Sequence, residues 1–452
     1  MKYVRWRLAV FLLSLSALVV AVSDPFNTPP IFLAPTEDNV QAFTERDFSL
    51  NIEVEDIDND EVEVKAYNLP EWLSFDPVLH RLQGHPERAD KGEYYFTIKA
   101  DDGRVVRTKM ISLKVDYGHT AAQHLKEAFS SLCSTKVQGL LGASAAIVTP
   151  DGHLETAVYG RANSWNNEPT APNYRYRVAS VSKLFTSALV MRLVEEGYFQ
   201  LDDTLYNLMP VNIPFSKEIT IRQLLSHTAG VIDHLNHPAF YRGNWKYRTW
   251  TEQDIHHFAA LRGARFRPGT HYGYSNTGFY LLGELVESVL KKPLAEAYKE
   301  YIFEPLGLKQ TTYDDFSTRR NHLDSLAENA RAYEYHLSAV GAAGSIVSTP
   351  SDVARFGQAL FTGQLVSEAS LQEMTQDIGA SVGGDHYGLG MRLWDDHGIL
   401  HMGHTGSLMG YRSIIMYLPE YQATIAISAN ESVRNWNDVV NGLLMEMADY
   451  YR

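Results

Sequence analysis

Apolar and polar residues alternate with period two through Phe48-Ser49-Leu50-Asn51-Ile52-Glu53-Val54, Val62-Glu63-Val64-Lys65-Ala66 and Tyr94-Tyr95-Phe96-Thr97-Ile98-Lys99-Ala100. Successive side chains of a strand point to opposite faces, so each run reads as a strand with one buried and one wet face. The turn signal Asp101-Asp102-Gly103 closes the third run, and Val105 to Val115 supplies another strand. Short strands separated by turn signals predict an all-β sandwich over residues 24–117. The segment is acidic, with 20 Asp and Glu against 10 Lys and Arg.

From residue 118 to residue 452 the period-two texture gives way to alternating helical and strand patterns, which predicts one large α/β unit. Leu140 to Val148 leads into the turn Pro150-Asp151-Gly152, with His153 to Tyr159 as hairpin partner. Gly410 to Tyr417 and Ala423 to Ser428 bracket Pro419-Glu420 as a second hairpin. The helical patterns fall between these hairpins, so the expectation is an antiparallel sheet flanked by helices, plus a helical subdomain.

Composition sets the outer limits. The 452 residues are 45% hydrophobic and 21% charged, which fits packed globular domains and excludes a disordered chain. A net charge of −14 argues against a nucleic-acid partner, since phosphate binding needs a basic surface. The single cysteine, Cys133, excludes an intramolecular disulfide and a cysteine-based zinc site. Residues 1–23 carry Lys2, Arg5 and Arg7 ahead of the apolar run Leu8 to Val22, with Ala21-Val22-Ser23 as a small-x-small cleavage site. This predicts a secretory signal peptide, a secreted or periplasmic protein, and no stable membrane span after cleavage. The apolar run falls short of the roughly 20 residues that span a bilayer.

Three motifs carry chemistry. Ser180-Val181-Ser182-Lys183 opens a helix with an apolar face at Leu184, Phe185, Ala188, Leu189 and Leu193. Residues three apart share a helix face, so a neutral Lys183 can take the Ser180 proton and activate the hydroxyl. Ser288-Val289-Leu290-Lys291 repeats the spacing but stands just before Pro293, and reads as a solvated helix end. In Tyr274-Ser275-Asn276, a tyrosine beside a lysine can act as phenolate base, and Asn276 can orient the lysine and bind a substrate carbonyl. In Gly403-His404-Thr405-Gly406-Ser407, placed before the strand Tyr411 to Ile415, the Ser407 N–H can join that of Ser180 as an oxyanion hole. His404 with His401 would need a third ligand to hold a metal, and sequence offers none nearby. Gly142-Ala143-Ser144-Ala145-Ala146 fails the nucleophile elbow of an α/β-hydrolase at its last position. Asp56, Asp58 and Asp60 alternate in the run Glu55 to Glu61, a candidate calcium set without the glycine and terminal glutamate of an EF-hand loop.

The three motifs in this order resemble the serine β-lactamase and penicillin-binding-protein superfamily, in its class C-like branch of DD-carboxypeptidases, D-aminopeptidases and family VIII esterases. Further resemblance lies in Ile219 to Gly230, Ser275 to Gly283 and Gly344 to Asp352. Leu69 to Asp76, Leu82 to Pro86 and Gly92-Glu93-Tyr94 resemble the cadherin-like immunoglobulin-type repeats of secreted bacterial proteins. The resemblance implies a serine acyl-enzyme without a catalytic cofactor, with Ser180, Lys183 and Tyr274 catalytic and Asn276, His404, Thr405 and Gly406 binding substrate. That substrate is a small ester or a D-amino-acid-containing peptide or amide, including peptidoglycan-derived ones. Class C β-lactamases carry Lys-Thr-Gly where this chain has His404-Thr405-Gly406. A histidine is a weaker cation for a substrate carboxylate near neutral pH, so efficient β-lactam hydrolysis is not expected. The rival is a catalytically silent scaffold or binding protein of the cell envelope.

Overall fold

The computed structural model describes residues 27–118, 120–163, 167–241, 248–314, 336–378 and 386–451. The expected signal peptide lies outside the described residues. Contacts divide the chain into two compact units that meet between Thr120 and Ala121.

The first unit holds β1 (Ile31–Ala34), β2 (Asn39–Phe43), β3 (Phe48–Asn51), β4 (Glu53–Glu55), β5 (Glu63–Tyr67), β6 (Leu73–Asp76), β7 (Arg81–Gly84), β8 (Gly92–Asp101) and β9 (Val106–Asp116). A four-stranded sheet runs β2-β9-β8-β5 and a three-stranded sheet runs β3-β7-β6, while β1 pairs with β4. Leu73 and Leu82 of the smaller sheet share a core with Phe96, Ile98, Ile111 and Leu113 of the larger one. Each such side chain contributes about 1.5–3 kcal/mol relative to exposure. The run Phe48 to Val54, read as one strand, is two. Ile52, only 2% exposed, drops into the core, so β3 stays on β7 while β4 crosses to β1.

The second unit is built on a seven-stranded antiparallel sheet of β10 (Gly142–Val148), β11 (Leu154–Gly160), β15 (His386–Tyr387), β16 (Arg392–Asp396), β17 (Ile399–Leu408), β18 (Tyr411–Leu418) and β19 (Ala423–Ala429). Its order is β11-β10-β19-β18-β17-β16-β15, so the two hairpins read from sequence come together through the β10–β19 pair. A small sheet of β12 (Tyr176–Arg177), β13 (Thr312–Tyr313) and β14 (Ile346–Ser348) stands apart. The helices Ala121–Lys136 and Trp436–Tyr451 cover one face, where Phe129, Cys133, Val439 and Leu443 pack on Ile425 and Ile427. The other core gathers around the helix Ser182–Glu195. That helix is not amphipathic as expected: every residue from Ser182 to Met191 is buried, because it runs through the middle of the unit.

Candidate active site

The site begins with a kink. Val178 donates its N–H to Ile346 O at 3.1 Å and accepts from Ser413 Oγ at 2.5 Å, which ties it to both sheets of the unit. Ala179 then takes φ +51°, a left-handed conformation uncommon for a residue with a Cβ. The chain turns through the short 3₁₀ segment Ala179–Val181, leaving Ser180 half-buried at the head of the central helix. The second serine of the motif is structural: Ser182 Oγ accepts the N–H of Ile346 at 3.0 Å.

Lys183 is fully buried. Its Nζ lies 2.8 Å from Asn276 Oδ1, 2.8 Å from Ala343 O and 3.1 Å from Ser180 Oγ. Burial pushes its pKa down to about 7, with Asp233 opposing the shift and Arg392 adding to it. A neutral amine has two N–H groups and one lone pair. The Asn276 amide oxygen and the Ala343 carbonyl can only accept, so they take the two N–H groups. The lone pair is left facing the Ser180 hydroxyl, the geometry of a general base on a nucleophile.

Asn276, 6% exposed, starts the helix Asn276–Leu290, whose N-cap Ser275 accepts the Gly278 N–H. Its Nδ2 faces both carboxylate oxygens of Asp233, at 3.1 and 3.2 Å. Both ends of the amide are thereby used inside the protein. Asn276 is placed to orient the lysine, with its Oδ1 on Lys183 Nζ and its Nδ2 on Asp233. Tyr274 is in hydrogen-bonding contact with Ser180, and its ring centroid lies 4.9 Å from Lys183 Nζ. Burial holds its phenol above the ordinary tyrosine range. That burial disfavours the expected phenolate and favours Tyr274 as a protonated donor.

The third motif is itself part of β17, which turns directly into the expected strand, β18. β16 pairs with β17 only as far as Gly403, so from His404 to Leu408 one side of β17 is open, and the turn bearing Ser180 packs there. A Cβ on Gly406 would come within 2.2 Å of Val178 O and 3.2 Å of Ala179 Cβ, so only glycine allows this approach. Thr405 and Ser407, on either side of Gly406, are both exposed. His404 differs from expectation. It is 1% exposed, its Nδ1 lies 2.6 Å from Thr405 O and its Nε2 lies 3.1 Å from Tyr387 Oη. Burial, reinforced by Arg392 and Lys183, holds it well below its ordinary pKa. It is a neutral internal residue, not a weak cation facing substrate.

A cavity of about 520 Å³ opens beside Tyr274, lined among others by Asp233, Arg265, Tyr272, Tyr387 and Arg392. Sequence reasoning missed these residues, because none is close in the chain to Lys183. Asp233, three residues beyond Gly230 of a segment that carried the resemblance, had the nearest signal. Of the other candidates, Ser288 and Lys291 close a helix, with Lys291 exposed in the left-handed C-cap. Ser144 Oγ is paired with the Tyr176 hydroxyl at 2.8 Å, both buried. The candidate calcium residues Asp56, Asp58 and Asp60 lie in the turn between β4 and β5. Among the described residues no group of three His, Cys, Asp or Glu is placed to hold a metal ion. Asp56 Oδ1 accepts the N–H groups of Asp58 and Asp60, at 2.9 and 3.2 Å, Asp58 accepts from Thr28 N, and Asp60 faces Arg104. The turn uses one oxygen of Asp56 to cap its own backbone, while Asp56 Oδ2 and Asp60 Oδ2 are buried without a hydrogen-bond partner.

Comparison with known proteins agrees with this geometry. The Beta-lactamase family matches residues 128–448, and an Ig-domain family, He_PIG, matches residues 29–116. Penicillin-binding protein 4* of Bacillus subtilis is 27% identical over 298 residues, which span 60% of this chain and 64% of that relative's length. The D-alanyl-D-alanine-carboxypeptidase/endopeptidase AmpH of Escherichia coli is 26% identical over 329 residues, 67% of this chain and 84% of that one. Among solved structures, the D-amino acid amidase of Ochrobactrum anthropi SV3 superposes with a TM-score of 0.64 at 26% identity, covering 72% of this chain and 98% of the amidase. The chain belongs to the beta-lactamase family, as a serine hydrolase preceded by an immunoglobulin-like domain.

Proposed function

We propose that this serine hydrolase cleaves D-amino-acid-containing peptides or amides, or small esters, through an acyl-enzyme on Ser180. The observation that carries the reading is the buried Lys183 amine, whose pKa of about 7 makes the neutral form available near neutral pH, with its lone pair then aimed at the Ser180 hydroxyl. Lys183 takes the Ser180 proton as Oγ bonds to the substrate carbonyl carbon. The N–H groups of Ser180 and Ser407 receive the developing oxyanion. Tyr274 gives its proton to the leaving nitrogen or oxygen as the scissile bond breaks, and regains one from Lys183. Water then adds to the acyl carbon and loses a proton to Lys183, which passes it to Ser180 Oγ as the acyl C–O bond breaks, restoring both the hydroxyl and the neutral amine. Side chains supply the nucleophile, base and acid, so the proposed cycle uses no cofactor.

Two arginines, Arg265 and Arg392, line the cavity against one carboxylate, Asp233. This balance favours a substrate with a free carboxylate, which the neutral His404 does not provide for. The names of the carboxypeptidase and D-amino acid amidase relatives support the same substrate class. Secretion or a periplasmic location follows from the leader reading, and among the described residues no helix is long and apolar enough to cross a membrane. The immunoglobulin-like domain is read as a spacer or a binder of wall polymer or protein.

The test is acyl-enzyme formation, followed by intact mass, against a D-Ala-D-Ala peptide, the same peptide as its C-terminal amide, a D-amino acid amide, a short-chain ester and a penicillin. Acylation by the free-carboxylate peptide in preference to its amide is expected. Absence of any acyl adduct across the panel would favour the silent scaffold.

A further inference from the structure

Two imidazoles and a phenol lie buried between the two walls of the site. His227 and Tyr387 are each 2% exposed and His404 is 1% exposed. They come from separate places: His227 follows the helix Ile221–Leu225, Tyr387 ends β15, and His404 sits in β17. Yet Tyr387 Oη is 3.1 Å from His227 Nε2 and 3.1 Å from His404 Nε2.

The protons along this path are fixed by the groups at its ends. The Ser275 backbone N–H points at His227 Nδ1 from 3.2 Å and can only donate, so Nδ1 holds the lone pair and Nε2 holds the proton. His227 Nε2–H therefore donates to Tyr387 Oη. At the far end, the Thr405 carbonyl 2.6 Å from His404 Nδ1 can only accept, so Nδ1 holds the proton and Nε2 the lone pair. The single Tyr387 proton then has one acceptor, His404 Nε2. Every donor finds one acceptor, and the order cannot be reversed without setting two donors or two acceptors face to face.

We propose that His227 and Tyr387 are positioning residues, a one-way hydrogen-bond relay that ties the Tyr274-Ser275-Asn276 loop to the strand bearing Thr405, Gly406 and Ser407. One end of the relay is the N-cap of the helix that presents Asn276 to Lys183. The other end is the strand whose open side receives the turn carrying Ser180. Each wall alone can pack correctly; the relay sets their separation, and hence the distance from base and nucleophile to the oxyanion donors. Lys183, Arg392, Arg265, Tyr272 and Tyr274 face the relay from the surrounding elements, and burial first, then the cations among them, oppose a second proton on either imidazole. Its effect on rate rests on the serine-hydrolase reading; its proton order does not.

Nitrogen-15 spectra of the histidine-labelled full chain at pH 7, assigned with single-histidine variants, test the order directly. His227 should appear as the Nε2–H tautomer and His404 as the Nδ1–H tautomer. The same tautomer at both, or a doubly protonated ring at either, would overturn the relay. The second measurement is kcat per active site titrated with a fluorophosphonate, in Tyr387→Phe. A fall of about tenfold or more with KM changed less than about twofold is expected for lost positioning. A loss confined to the titratable fraction or the melting temperature, with kcat per site unchanged, would reduce Tyr387 to packing. If wild-type Ser180 fails to titrate at all, the catalytic reading falls while the tautomers still decide the relay.

Discussion

Asp233 holds the Asn276 amide nitrogen between its two carboxylate oxygens, at 3.1 and 3.2 Å, and so fixes which end of that amide meets Lys183. An unrestrained asparagine amide can turn over, which would place an N–H donor against the lysine and remove one of its two acceptors. Asp233 is 7% exposed and also raises the pKa that burial lowers, so it sets both the direction and the basicity of the lysine lone pair.

Asp233→Asn is therefore expected to lower kcat by about tenfold to a hundredfold, the scale of a misplaced reacting group. Acylation needs neutral Lys183, so kcat/KM rises with pH through the lysine pKa. Removing the Asp233 charge lowers that pKa, and the acid limb of the profile should move to lower pH. An unmoved limb would show that Asp233 does not act on Lys183.

The nucleophile is separable from its sequence double. Ser180→Ala should abolish covalent labelling by a fluorophosphonate or penicillin-type probe. Ser288→Ala should leave it intact, because Ser288 lies in the last turn of a helix whose cap, Lys291, points to solvent. Persistent labelling of Ser180→Ala would reassign the nucleophile.

Lys183 should cost the fold stability in the pH range where it works. Its folded pKa, about 7, lies below the ordinary lysine value of 10.5. Below the folded value the cost of the buried group is complete; between the two values the unfolded chain binds the extra proton, so stability rises with pH and the cost fades. Lys183→Met should accordingly raise the melting temperature most below pH 7 and least near pH 10, while acylation is lost. A melting temperature that falls at every pH would show that the lysine hydrogen bonds outweigh its desolvation.

Much of this was legible before the structure, and the misses share a cause. Period-two runs marked β5, β8 and β9 closely because local alternation reports a strand with one wet face. It does not report which sheet a strand joins, so the break at Ile52 was invisible. Ser180 and Lys183 were readable because three residues on a helix bring them together locally. Asp233, Tyr387 and Arg392 reach the same place only through the order of the large sheet and the path of the chain around the central helix. His404 shows the same limit for charge: its type suggested a surface cation, whereas its burial beside Arg392 and Lys183 makes it neutral.

The acidic turn of the first unit should be indifferent to calcium. One oxygen of Asp56 accepts two backbone N–H groups, Asp58 accepts another and Asp60 faces Arg104, and the three do not converge as a ligand group. Thermal melting of the full chain in millimolar calcium and in chelator should give the same midpoint for the unit. A midpoint that rises with calcium would show that the turn reopens to bind the ion, through mass action on the folded state.

Gly406 offers the most direct test of the oxyanion geometry, because its substitution changes no chemical group of the site. A methyl there meets Val178 O at 2.2 Å and Ser413 Oγ at 2.3 Å, and a contact below van der Waals range with backbone cannot be relieved by a rotamer change. β17 must move off the Ser180 turn, taking the Ser407 N–H with it, while Lys183, Asn276 and Asp233 keep their contacts on the other wall. Gly406→Ala should thus retain a nucleophilic Ser180 that reacts with a small fluorophosphonate. Its kcat on peptide or ester should fall by about 10²–10³, the loss seen when one oxyanion donor is removed. The fall belongs in kcat more than KM, because the donors bind charge that develops only in the transition state. A variant with unchanged kcat would mean that the Ser407 N–H does not serve the oxyanion.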